Sequence, residues 1–110
     1  MLTGLPAEYK GLIEIATLTV QTIVLAGLFP TYAAAAAGGD EFANNGKTFF
    51  HCKNGGGTDI TVDHDQAVIV SAGFDKMIGP FPTARFDNAS ARVAVSYSAV
   101  TSVTVAAITV

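Results

Sequence analysis

The sequence predicts an all-β domain, a compact β-sandwich or barrel-like fold of about 6–8 short antiparallel strands behind an extended N-terminal arm. Three observations predict it. Ala, Thr and Val dominate the composition, Ile and Phe are frequent, and Glu and Lys are scarce, a balance that favours strands over helices. Apolar and polar residues alternate with period two in several short segments, as half-buried strands do. The 11 Gly and 4 Pro supply the turns between them.

Residues 1–16 read as an arm, and residues 17–110 as a single β domain. Leu5-Pro6 opens the arm, and one or two helical turns fit Ala7–Ile15. Leu18, Val20 and Thr22 alternate with Thr17, Thr19 and Gln21, which predicts a strand continuing through Ile23–Leu25. Gly27 ends it, and Phe29–Tyr32 is a turn or extended link. Ala33–Ala37 is too short for a stable isolated helix. It reads either as a helical turn ended by Gly38-Gly39 or as a small-residue surface against a partner. Asn44–Gly46 is a turn, and Lys47–Lys53 a strand with aromatic residues on both faces, so that either Phe49 or Phe50 fits the core. Asn54–Gly57 is a looser turn, and Thr58–Asp63 the returning strand of a β-hairpin. Asp63–Asp65 is a solvated turn. Gln66–Ser71 and Phe74–Ile78 are further strands. Pro80 and Pro82 make Gly79–Pro82 an edge or corner anchored by Phe81. Arg92–Ser98 and Val103–Val110 complete the set. Ile60, Val62, Val68, Val70, Val93, Val95 and Tyr97 are the expected core positions.

Charge is unevenly placed. None falls between Ile15 and Gly39, or between Val93 and Val110. Such stretches are either core strands or surface covered by a partner, since interface cores are depleted of charge. The first is long enough to span a bilayer, but Thr17, Thr19, Gln21, Thr22, Gly27 and Pro30 interrupt it. A secretory signal with Leu18–Phe29 as its apolar region is disfavoured, because Lys10 lies between Glu8 and Glu14 and leaves no basic leader.

Several function classes are set aside. Half the residues are apolar and 14% are charged, which excludes intrinsic disorder. A net charge of −3 with 6 scattered basic residues argues against nucleic-acid binding. The single Cys excludes an internal disulfide. Cys52 beside His51 is no nucleophile–base pair, because strand neighbours point to opposite faces, and Cys52 reads as a small buried side chain. Asp63-His64-Asp65 has no second ligand cluster to complete a metal site. The glycines at 55–57 lack the Lys-Ser/Thr and helix of a phosphate loop. The expectation is a non-enzyme with no cofactor and no catalytic or metal-binding residue.

The motif order resembles a family of small virion structural proteins of tailed bacteriophages, of the capsid decoration (cement) kind. The residues that carry the likeness are Leu18–Val24, Gly27, Pro30–Tyr32 and the alanines 33–37. They continue with Asn45-Gly46, Phe49-Phe50, Lys53–Gly56, Ile78–Pro82 and Tyr97–Ala107. The likeness covers residues 17–110, and the stretch between Ile60 and Ile78 is shorter than the family's pattern. It implies a protein made in the host cytoplasm that binds the outer surface of the phage head and stabilises the shell. A neck or tail component and a host-attachment module are the alternatives. The implied partners are the major capsid protein and further copies of the chain, a trimer being preferred to a dimer, with no nucleic acid and no membrane. The contact residues expected from the uncharged segments, the arm and the corner are Leu5, Tyr9, Leu12, Ile13, Leu28, Phe29, Tyr32, Ala34, Ala35, Ala36 and Phe81.

Overall fold

A computed structural model of the chain describes residues 15–86 and 91–110. Among the described residues it is all-β, with ten strands in two five-stranded sheets. The strands are β1 (Ala16–Leu18), β2 (Val20–Thr22), β3 (Ala33–Ala34), β4 (Asp40–Ala43), β5 (Thr48–Asn54), β6 (Ile60–Asp63), β7 (Ala67–Val70), β8 (Asp75–Ile78), β9 (Arg92–Tyr97) and β10 (Val103–Thr109). One helical turn, α1 (Thr83–Phe86), precedes β9. The first sheet runs β1-β4-β9-β6-β7. The second runs β2-β10-β5-β8, with β3 also on β10.

Period-two alternation places the core between the sheets. Phe42, Ile60, Val62, Val70, Val93 and Val95 point inward from the first sheet, and Phe50, Cys52, Val103, Val105 and Ala107 from the second. Val68 and Tyr97 pack against this cluster at its margin, so all seven expected core positions contribute. Phe50 is the buried aromatic of its strand, and Phe49 is only half-buried. Phe42 stacks on Phe50 across the two sheets, with centroids 5.6 Å apart and planes 7° from parallel.

Several expectations are corrected. Instead of one strand through Leu25, the chain forms β1 and β2, changes sheets at Thr19 and leaves the sheet after Thr22. Leu18 is buried and Val20 packs on the core, so the chain wraps the side of the sandwich while keeping both inward. Both short strands pair parallel, β1 with β4 and β2 with β10, so the sheets are not wholly antiparallel. The first strand begins at Ala16, inside the segment expected as an arm; the rest of that arm, up to Glu14, lies outside the described residues.

The hairpin expected from Lys47–Lys53 and Thr58–Asp63 does not form. β5 pairs with β10 and β8, whereas β6 pairs with β7 and β9 in the other sheet. Phe50 and Cys52 thus face Ile60 and Val62 across the core, and the glycines at 55–57 carry the chain from sheet to sheet. The alanine run is not helical: β3 pairs antiparallel with β10, and the Ala35 N–H donates to the Val103 carbonyl at 3.0 Å. Gly39, at φ +97°, then lets the chain turn into β4; a Cβ there would lie 2.7 Å from the Val95 carbonyl oxygen.

Candidate docking site

The uncharged segment after β2 does not enter the core. Residues 23–32 form a loop that leaves the edge of β10 at β2 and returns to the same edge at β3. Its neck is fixed by a reciprocal amide pair: Gln21 Nε2 donates to the Thr31 carbonyl at 2.8 Å, and the Thr31 N–H donates to Gln21 Oε1 at 2.7 Å. The Ile23 N–H donates to the Thr109 carbonyl at 2.9 Å, and at the tip the Gly27 N–H closes a tight turn on the Val24 carbonyl at 2.8 Å. A loop whose ends are held together in this way is a compact unit and not a loose tether.

The side chains it carries face water. Leu25 and Phe29 are as exposed as in an extended chain, at 111% and 99%, and Ile23 and Val24 are about half-exposed. A contiguous apolar patch on a small domain marks a contact surface. No charged residue lies in the loop or its neck, so covering the exposed side chains of its tip desolvates no charge of the loop's own; the Lys53 ammonium lies over the Tyr32 ring at its returning stem.

At the loop's root lies a cleft of about 360 Å³, bordered by Thr17, Thr19, Gln21, Thr31, Tyr32 and Ala106. Tyr32 anchors the returning stem. His51 Nε2 lies 2.6 Å from Asp75 Oδ2, and Tyr32 Oη lies 2.7 Å from His51 Nδ1. An ionised carboxylate only accepts, so Nε2–H donates to Asp75, and in the neutral imidazole Nδ1 accepts a hydrogen bond from the Tyr32 hydroxyl. Hydrogen bonding from His51 holds the Asp75 carboxyl below its ordinary range. The Lys53 ammonium sits 4.5 Å from the centre of the Tyr32 ring. This network ties the loop stem across β5 to β8. It lies on the outer face of the second sheet, while Cys52 points into the core from the same strand.

The chain matches no family model, no curated protein and no solved structure. Of the residues expected to make contacts, Leu28, Phe29 and Tyr32 lie together in the loop, and Ala34 is exposed at its foot. Ala36 is half-buried, its N–H donating to Asp40 at 3.1 Å. Two expectations are corrected: Ala35 and Phe81 are buried in the chain's own core. Ala35 lies against β10, and Phe81 packs on Phe42 and edge-on to His64. His64 is accordingly buried, not part of a solvated turn. Leu5, Tyr9, Leu12 and Ile13 lie outside the described residues. Ile23, Val24 and Leu25 were expected in a strand and belong to the loop; the absence of charge from the segment was their only signal.

Among the described residues, no group of three or more His, Cys, Asp or Glu is gathered to hold a metal, and no helix is long and apolar enough to cross a membrane. Two further titratable groups serve the fold. Tyr97 donates its hydroxyl to the buried Asp40 at 2.6 Å. Burial first, and that bond second, push its pKa well above the ordinary value near 10. Burial pushes the Cys52 thiol up from 9.0 to about 11. Both acids stay neutral in the fold at a pH where the unfolded chain has lost their protons. Their contribution to stability is therefore fully present below pH 9 and declines as pH rises past 9 and then 10. Urea denaturation at pH 7 and pH 10.5 should show the loss, and Tyr97→Phe should reduce it. The buried Cys52 should also resist a thiol reagent in the native protein and react once urea unfolds it.

Proposed function

We propose that this chain is a structural protein of a tailed-bacteriophage virion, a decoration protein that binds the outer surface of the head and stabilises the shell. The observation that carries the reading is the loop of residues 23–32, an uncharged apolar projection on a small β-sandwich, held out by its own hydrogen-bonded neck. Its partners in this reading are the major capsid protein and further copies of the chain. The protein acts by covering apolar surface between neighbours, without catalysis.

The magnitudes suit a many-copy assembly. Covering the four exposed side chains of the loop removes on the order of 600 Å² from water, worth about 15 kcal/mol at 25 cal/mol per Å². Association costs of about 4–15 kcal/mol offset between a quarter and all of this. A single copy then binds modestly, and many copies on one shell reinforce one another.

Purified protein added to heads that lack it should bind to saturation at hundreds of copies per particle and raise the temperature at which the heads open. Leu25→Asp with Phe29→Asp should abolish binding while leaving the circular dichroism spectrum unchanged. Failure of the unaltered protein to bind heads would sink the decoration reading, and a handful of copies confined to one vertex would place it at the neck instead.

A further inference from the structure

The loop and the cleft at its root are a knob and a hole on one side of the same molecule. The cleft opens where β10 has neighbours at both ends but not between: β2 pairs with Ala107–Thr109 and β3 with Thr104–Val105. Its lining is Thr17, Leu18, Thr19, Gln21, Thr31, Tyr32, Ala33 and Val105–Ala107, with no charged residue among them. The loop cannot fill the cleft it hangs from. The Gln21–Thr31 pair holds it outward, and Leu25 and Phe29 are fully exposed.

We propose that the occupant of the cleft is the loop tip of a second copy, the two copies exchanging tips about a two-fold axis. Three features carry this. Knob and hole are both uncharged, so docking one in the other buries no unpaired charge, which would be costly. They lie side by side, so an axis passing beside them brings each tip to the other copy's loop root. That is the self-complementary arrangement a two-fold interface requires. The area suffices as well: the four exposed loop side chains of each copy, covered by tip and cleft together, contribute about 600 Å², roughly 1,200 Å² in total, the lower bound of a standard stable interface. The arrangement closes at two copies, against the trimer implied by the family resemblance. It rests on the loop as a docking element but not on the phage head, and its test needs no heads.

The test uses the full chain and two single variants. Leu25→Asp places a charge on the knob. Thr19→Arg fills the hole from an exposed position and leaves the core intact. Light scattering should find the unaltered protein dimeric at micromolar concentration and each variant monomeric, with unchanged circular dichroism. Mixing the two variants should partly restore the dimer, because one intact tip then meets one intact cleft. A monomeric or trimeric unaltered protein would overturn the proposal. So would a Thr19→Arg protein that still dimerises, or a mixture that stays monomeric. Any of these failures would leave the decoration reading standing, since head binding tests that separately.

Discussion

Truncating Phe42 to alanine should lower stability by about 3–5 kcal/mol, the cost of deleting a fully buried ring and leaving its cavity. The cost should fall at the upper end because the ring joins the two sheets. Phe42 on β4 stacks against Phe50 on β5, Phe81 from the corner packs on it at 5.6 Å and 55°, and Tyr97 lies over Phe50 at 6.4 Å. Removing it thins the contact between the layers and strips the neighbour that holds the corner. A domain of this size has a total stability of about 5–15 kcal/mol, so the variant should unfold at a much lower urea midpoint with an unchanged slope. Phe49→Ala is the control. It removes the same ring from the other face of β5, where it is half-buried, and should cost about 1 kcal/mol. Equal losses at the two positions would mean that neither the fuller burial of Phe42 nor its inter-sheet stack adds to stability.

The contrast between Phe42 and Phe49 also shows what the sequence makes legible. Val93, Val95 and Tyr97 announce an inward face because small or polar residues separate them. Phe49 and Phe50 sit on opposite faces with nothing to rank them, and the choice is made by long-range register, Phe50 against Ala107 and Ile78. β4 was missed for a related reason. Its first residues are Asp40 and Glu41, which read as exposed, yet Asp40 is buried because Tyr97, 57 positions away, donates to it. Sheet membership was equally hidden. Adjacent strands joined by a glycine-rich turn look like a hairpin whether they pair or cross to the opposite layer. The docking loop marks the limit of hydrophobic pattern, since Ile23–Leu25 are as apolar as a core strand. What turns them outward is the Gln21–Thr31 pair, a contact between two polar residues ten positions apart.

Asn54 is where these lessons meet, and replacing it should be nearly as damaging as removing Phe42. It looked like the start of a loose turn, but it is 2% exposed and forms the joint by which the chain leaves one sheet for the other. Its Nδ2 donates to the carbonyls of Thr58 at 2.8 Å and Val70 at 3.0 Å, and its Oδ1 accepts the Gly56 N–H at 3.0 Å. Its backbone N–H donates to the Phe74 carbonyl and its carbonyl accepts from Gly73, both at 2.9 Å. One residue thus serves the crossing and the end of β7 through its side chain and the turn into β8 through its backbone. Asn54→Ala strands two carbonyls and one N–H, at about 1–3 kcal/mol for each group that water cannot reach; a total near 3–5 kcal/mol is expected. Asn54→Asp separates hydrogen bonding from packing. It keeps the shape and the acceptor for Gly56, but turns a carboxylate oxygen toward two carbonyl oxygens. Asp should therefore be at least as destabilising as Ala at pH 7, and should recover relative to Ala as pH falls and the carboxyl gains a proton to donate. Urea midpoints of the three proteins at pH 7 and pH 4 check this. An Asp variant as stable as the unaltered protein at pH 7 would show that the two donated bonds do not hold the crossing.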